Sequence, residues 1–178
     1  MFSGSLNLHL SNLFSKKKGD MIMIRNVKKM SKNDLDDVPL GVFISIIHRT
    51  HMIYLNHEIT GLEISAGQVQ FIMGLSKKEG ITQDDLASHY HIDKGSVARA
   101  LKKLEDNKLI CRKIDPENRR KYLIYLTEKG RNIVPKIHGI YNQWENSICS
   151  NLSKEEYNNL FDVLKTLSTN SLENVDKN

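Results

Sequence analysis

The stretch DKGSVARALKKLEDNKLICRKIDPENRRKY, residues 93–122, decides the fold of this chain. Up to Lys121 it holds ten basic residues and five acidic ones, a surplus equal to that of the whole chain, where 26 Lys and Arg face 21 Asp and Glu for a net charge of +5. Elsewhere the charges cancel, although the amino-terminal arm is locally basic and the carboxyl-terminal tail acidic. Concentrated positive charge in a chain of pI near 9.1 is the electrostatic footprint of a nucleic-acid binder, because phosphates present dense negative charge. A solvated charged helix would have the same composition, so the apolar pattern has to separate the two. Asp93 opens a helix in which Val97, Ala100, Leu101 and Leu104 fall at i, i+3, i+4 and i+7, forming one core face. The other side carries Lys94, Ser96, Arg99, Lys102 and Lys103, all hydrogen-bond donors.

After that helix, Ile110 and Ile114, then Tyr122, Ile124 and Leu126, alternate with more polar neighbours, and Asp115, Pro116, Glu117 and Asn118 supply the turn between them. This predicts a β-hairpin with Arg119, Arg120 and Lys121 at its tip. Upstream, Thr82 caps QDDLASHY, with Asp85 at the third helical position completing a capping arrangement. Two short helices joined by a tight turn make a helix-turn-helix whose second helix fits a DNA major groove. With the hairpin beside it, the unit is a winged helix.

Working further outward, Asp37 and Pro39 mark the start of a long first helix in which Val42, Ile46, Ile47, Ile53 and Tyr54 recur to about Asn56. Ser65 precedes a second, AGQVQFIMGLSKK, with Val69, Ile72, Met73 and Leu75 along one side and Gly80 as its stop. Beyond the wing, Val134, Ile137, Ile140, Tyr141, Trp144 and Ile148 form one apolar stripe, and Leu152, Leu160, Val163, Leu164 and Leu167 continue another. The fold expected is mainly α with a small β-wing: a winged helix-turn-helix domain flanked by N- and C-terminal dimerisation helices. Its divisions are a flexible arm over 1–37, an N-terminal dimerisation helix over 38–60, the DNA-binding domain over 61–130, C-terminal dimerisation helices over 131–169 and a flexible tail over 170–178. Met21 offers an alternative translation start to Met1, which would remove the first part of the arm.

Several classes are excluded. At 178 residues and 39% apolar content the chain suits a soluble domain with added arms, and it has no apolar run long enough to cross a bilayer. The interrupted apolar residues of the first twenty make a poor signal peptide. Two cysteines, Cys111 and Cys149, supply neither a disulfide framework nor a structural zinc site, and a reducing cytoplasm fits. No phosphate-binding loop, nucleophile elbow or H-E-x-x-H motif occurs, so no enzymatic activity and no cofactor are expected. A winged helix used only as a protein-interaction module would have no use for the basic helix face.

Residues 81–130, ITQDDLASHYHIDKGSVARALKKLEDNKLICRKIDPENRRKYLIYLTEKG, resemble the DNA-binding core of the MarR-type winged-helix transcriptional regulators, including the D-P-x-x-R-R wing followed by LTEKG. The long helices around it follow that family's order, and the resemblance extends over roughly residues 38–169. It implies a homodimer with interlocked terminal helices, set on a pseudo-palindromic double-stranded operator and acting as a repressor. Many relatives have glycine where this chain has His91, because the turn can need a left-handed conformation.

The DNA-binding set expected is Lys94, Ser96, Val97, Arg99, Lys102 and Lys103 on the helix and Arg119, Arg120 and Lys121 on the wing. Ser96 and Arg99 face outward, and an arginine can contact guanine O6 and N7 together. Lys94 and Lys102 suit phosphates, which position without reading sequence. The wing arginines suit a minor groove, although one of them can instead pair with Asp115. Tyr122, Tyr125 and Leu126 read as packing residues. In the resembling family, small aromatic acids bind between the first helix, the second helix and the winged domain, so His48, Arg49, His51 and Tyr54 are the candidate contacts for a phenolic or aromatic-acid effector. The spacing of His48 and His51, with His57 and Glu58 beyond, also raises a metal-responsive alternative, but the ligand set is thin and no metal site is assigned. Thiol sensing is disfavoured, since neither cysteine lies in the first helix, and both read as buried packing residues.

Overall fold

The structure, a computed structural model, describes Leu35 and residues 38–176. Apart from Leu35, the expected arm over 1–37 lies outside the described residues, as do residues 177 and 178. The chain divides into two units, Met1–Thr50 and His51–Asn178. Among the described residues six helices and one hairpin follow in the order α1 (Leu40–Glu58), α2 (Ala66–Lys77), α3 (Gln83–His89), α4 (Lys94–Asp106), β1 (Ile110–Ile114), β2 (Tyr122–Leu126), α5 (Glu128–Ile148) and α6 (Lys154–Asp176). None of the described helices is long and apolar enough to cross a membrane.

In the first unit the described chain is the beginning of α1. The Pro39 carbonyl accepts a hydrogen bond from the Val42 N–H at 2.9 Å, which suits a proline placed just before a helix. Leu40, Phe43, Ile44 and Ile47 are exposed along it.

The second unit is built around α2. The sequence predicts one apolar side for this helix, but Ala66, Gln68, Val69, Phe71, Ile72 and Leu75 are all buried, because α4, α5 and β2 pack around it. Leu55 and Ile59 join the same core from the end of α1, and Leu86, Val97, Leu101, Leu104, Ile110 and Ile124 join it from the winged elements. Gln68 is the buried polar residue of this core. Its Oε1 accepts from the Ser65 N–H (2.9 Å) and the Ser65 hydroxyl (3.1 Å), while its Nε2 donates to the Ala100 carbonyl (3.1 Å). Satisfied on both sides, the amide joins the start of α2 to the middle of α4 at little desolvation penalty.

The hairpin is antiparallel, with Ile110 opposite Leu126, Arg112 opposite Ile124 and Ile114 opposite Tyr122. Ile81 adds a single antiparallel bridge to β2 that the alternation in the sequence does not reveal. The Ile124 N–H donates to the Ile81 carbonyl and the Gly80 N–H to the Ile124 carbonyl, both at 2.9 Å. The LTEKG segment then anchors α5. The Thr127 hydroxyl accepts from the Gly130 N–H (3.1 Å) and donates to the Lys108 carbonyl (2.6 Å). A Cβ on Gly130 would lie 2.1 Å from the Leu109 carbonyl oxygen, so only glycine allows this approach.

The two final helices differ from expectation. Ile133 and Ile137 of α5 are buried in the core of their own chain, with Val134, Ile140 and Tyr141 packed against it, so much of that stripe is not free for a partner. Helix α6 runs to Asp176, beyond the expected end at 169. No glycine or proline follows Lys154 to stop it, and Leu172 and Val175 extend the apolar row.

Candidate nucleic-acid interface

The helix-turn-helix is set by two caps. The Thr82 hydroxyl accepts from the Asp85 N–H (3.1 Å), and the Asp85 carboxylate accepts from the Thr82 hydroxyl (2.7 Å) and its N–H (3.0 Å). The hydroxyl bond first, then the backbone bond, hold the Asp85 carboxyl below its ordinary range. At the start of α4 the Asp93 carboxylate accepts from the Ser96 N–H at 2.8 Å, and its hydrogen bonding to Ser96 likewise lowers it. Between the caps, His91 sits at φ +49°. This is the left-handed region that favours glycine, so the turn adopts its geometry at some conformational cost to this residue.

On α4 the outward side chains are held in different ways. Arg99 is exposed, and its Nη2 donates to the Ser96 Oγ at 2.9 Å, which lays the guanidinium along the first turns of the helix. A Cβ on Gly95 would stand 3.4 Å from the Arg99 Nη1 and 3.3 Å from the Asp93 Oδ1, so the bare glycine leaves that surface low. Lys94 pairs with Asp84 at 3.1 Å and Lys102 with Asp106 at 2.6 Å, all four side chains exposed. Such pairs contribute little and open readily toward a stronger anion. Lys103 is exposed beside them. Val97 does not belong in this set: it is 0% exposed and packs in the core. The helical period puts it with Leu101 and Leu104, on the opposite face from Arg99.

The wing is shaped by its own turn. Asp115 accepts from the Glu117 N–H (3.0 Å), and Asn118 Oδ1 from the Arg120 N–H (3.1 Å), while the Asp115 N–H donates to the Lys121 carbonyl at 3.0 Å. The Asp115 carboxylate is therefore engaged with the backbone, and among the described residues neither arginine pairs with it. Arg119, Arg120 and Lys121 are all exposed at the tip. Tyr122 is not the packing residue expected from the sequence, since it is 51% exposed. Cys111 in β1 and Cys149 at the end of α5 are each half-buried.

Of the four residues expected to contact an effector, His51 and Tyr54 lie in the second unit and are not among the residues that line its cleft. His48, which is exposed, and Arg49 belong to the first unit. The His51 ring lies tilted against those of Trp144 (centroids 4.4 Å apart) and Tyr141 (5.4 Å), and Tyr54 is half-buried. The cleft, of about 870 Å³, lies instead among α2, α3 and α5, where Gln70, Met73, Lys77, Tyr90, His138 and Tyr141 line it. Tyr90 donates to the Gln70 carbonyl at 2.9 Å, and a Cβ on Gly74 would meet its hydroxyl at 2.2 Å. Burial raises the Tyr90 phenol, and burial followed by the proximity of Tyr90 raises that of Tyr141. These cleft residues come from separate helices, and no local motif marks them. His57 bonds Glu58 at 2.9 Å on the surface. Among the described residues no group of three or more His, Cys, Asp or Glu converges to hold a metal ion.

A capped helix-turn-helix with a cationic hairpin beside it defines a winged helix-turn-helix protein. Residues 64–122 match the MarR family model. The HTH-type transcriptional regulator TcaR of Staphylococcus aureus is 31% identical over 110 residues, 60% of this chain and 71% of TcaR. The HTH-type transcriptional regulator BilQ of Clostridium symbiosum is 29% identical over 125 residues, 70% of this chain and 87% of BilQ. Among solved structures, a crystal structure of MarR superposes with a TM-score of 0.75 at 31% identity, over 84% of this chain and 99% of that one. A MarR family regulator from Listeria monocytogenes, complexed with a 26mer DNA, gives 0.71 at 28% identity, over 77% and 91%. The chain belongs to the MarR family of DNA-binding transcriptional regulators.

Proposed function

We propose that the chain is a cytoplasmic repressor that binds a pseudo-palindromic operator as a homodimer and is released by a small aromatic or phenolic acid. The observation that carries this reading is the exposed Arg99 guanidinium, held by Ser96 on the first turns of α4, beside a wing tip of three exposed cations. In the major groove Arg99 is placed to read a guanine edge, with Ser96 orienting it. Lys94, Lys102, Lys103 and Lys121 serve phosphates, and Arg119 and Arg120 enter the minor groove. The apolar row of α6 and the exposed residues of α1 support pairing of two chains, because both would otherwise stay in water.

The effector is assigned to the cleft among α2, α3 and α5 rather than to His48, Arg49, His51 and Tyr54. Its volume lies within the usual range of small-molecule sites, and it combines apolar and aromatic walls with Lys77 and His138, which suit a carboxylate. The test is to select bound duplexes from a random pool and titrate the best against a scrambled duplex over a salt series, with and without hydroxybenzoate. The expected result is preference for the selected duplex, binding that weakens steeply with salt, and release by the acid. Salt-independent binding, or equal binding to both duplexes, would reject the reading.

A further inference from the structure

The outer end of the wing carries an apolar pair outside the core. Ile114 is 57% exposed and Tyr122 51% exposed, and the two stand directly opposite each other as the last pair of the hairpin. Side chains alternate between the faces of a strand, so this pair shares a face with Arg112 and Ile124, and with Ile110 and Leu126 beyond them. Ile110, Ile124 and Leu126 are buried. That face therefore begins as a wall of the core and runs out past it. It also looks toward the recognition helix, since Arg112 Nε lies 3.3 Å from the Glu105 carboxylate near the end of α4.

The surroundings of the pair narrow what could cover it. Lys113, Arg119, Arg120 and Lys121 are exposed nearby, and none of them makes an ion pair among the described residues. Lys113 instead lies over the Tyr125 ring, 4.8 Å from its centroid. By the same alternation Lys113 points to the other face. Arg119, Arg120 and Lys121 at the tip nevertheless outnumber Asp115 and Glu117 and oppose docking of a second copy of the same wing, which would bring the same surplus. They complement a surface with anionic ridges and apolar walls between them. A DNA minor groove is such a surface, with phosphates along its rims and deoxyribose C–H groups along its sides.

We propose that Ile114 and Tyr122 are DNA-contact residues, packing together against the deoxyribose edges of the minor groove beside the wing arginines. This rests on the reading that the wing meets duplex DNA, and it adds a contact that charge alone does not supply. Apolar side chains recur in minor-groove recognition, where they seal or wedge the groove once cations have met the phosphates.

The test uses the full chain carrying Ile114→Thr and Tyr122→Thr together, since threonine suits a strand. Hydroxyl radicals cut DNA at exposed sugars, whereas dimethyl sulfate reports guanine N7 in the major groove. The expected result is operator binding weakened by about tenfold, as for re-exposing one side chain's worth of apolar surface. The slope of affinity against salt should be unchanged, sugar protection lost at the wing position, and N7 protection kept. Arg119→Ala with Arg120→Ala should instead flatten the salt slope. Tyr122→Phe keeps the ring and should bind like the parent; a loss as large as the double threonine variant's would overturn an apolar role. Unchanged affinity and sugar protection in the threonine variant, with the parent fully protected, would overturn this proposal alone. A parent that protects no duplex would overturn the DNA-binding reading and this proposal with it. Should the double variant melt below the assay temperature, Tyr122→Thr alone is read in the same way.

Discussion

Helices α4 and α6 are both amphipathic, yet their apolar rows meet opposite fates. Val97, Leu101 and Leu104 of α4 are fully buried, whereas Leu160, Val163, Leu164, Leu172 and Val175 of α6 are exposed and none of residues 154–175 is buried. Amphipathicity alone therefore does not say where a helix finds its cover. The row of α4 is closed by α2 and its neighbours in the same chain. That of α6 is exposed in the single chain, and the helix is joined to α5 by the Tyr157 hydroxyl donating to Glu145. The contrast separates a winged core closed within the chain from a final helix that we propose pairs with a second copy.

The largest effect that would sharpen this contrast comes from truncating each row. Leu101→Ala should destabilise the chain by about 2–5 kcal/mol in urea unfolding, the range for a buried leucine. Leu164→Ala should change unfolding of the winged core by less than about 0.5 kcal/mol. Equal losses at the two positions would mean that α6 is part of the folding unit.

Removing residues 154–178 should leave the core's unfolding transition in place but abolish dimerisation, read by sedimentation at micromolar concentration. Operator binding should then fall by at least roughly a hundredfold, because two linked half-sites become independent. A cut after Gly130 is a poorer experiment, since it also strips the buried Ile133 and Ile137 from the core. A shortened chain that stays dimeric would break the comparison.

Within the DNA-facing half, Arg99→Ala should lower operator affinity by about 1–3 kcal/mol and change scrambled-duplex binding far less. Uniform weakening would move Arg99 to the phosphate-contacting group.

The smallest effect expected is on acid stability. Asp85 and Asp93 have carboxyls lowered in the folded chain by bonds from Thr82 and Ser96. Their contribution is fully present above the unfolded carboxylate value of about 3.9 and is lost as pH falls through the lower folded values. The double change Asp85→Asn and Asp93→Asn should therefore make the fall of Tm below about pH 4 shallower. An identical acid profile would assign the acid sensitivity to other groups.

Much of the winged core was legible because its signals are local. Thr82 with Asp85, Asp93 with the Val97 to Leu104 row, and the Asp115 to Asn118 turn each act over a few residues, and all appear in the structure. What was not legible depends on residues distant in the chain. Gln68 reaching Ala100, Ile81 pairing with Ile124, and Tyr90 and Tyr141 lining one cleft have no periodic signature. Two readings failed on faces. Val97 is not a DNA contact, since its own period places it inside, and the α5 stripe is not wholly a partner's, since its own core takes Ile133 and Ile137. Tyr122 failed the other way, because strand alternation cannot show where a hairpin outruns its core.

The division into a reading part and an assembling part is tested most directly by counting chains on DNA. A labelled duplex carrying one selected operator would be titrated in sedimentation with the intact chain and with the chain ending at Ser153. The account predicts that intact chains add two at a time and protect half-sites about one duplex turn apart, and that the shortened chain adds singly and weakly. A duplex saturated by one intact chain, or bound as tightly by the shortened chain, would contradict it.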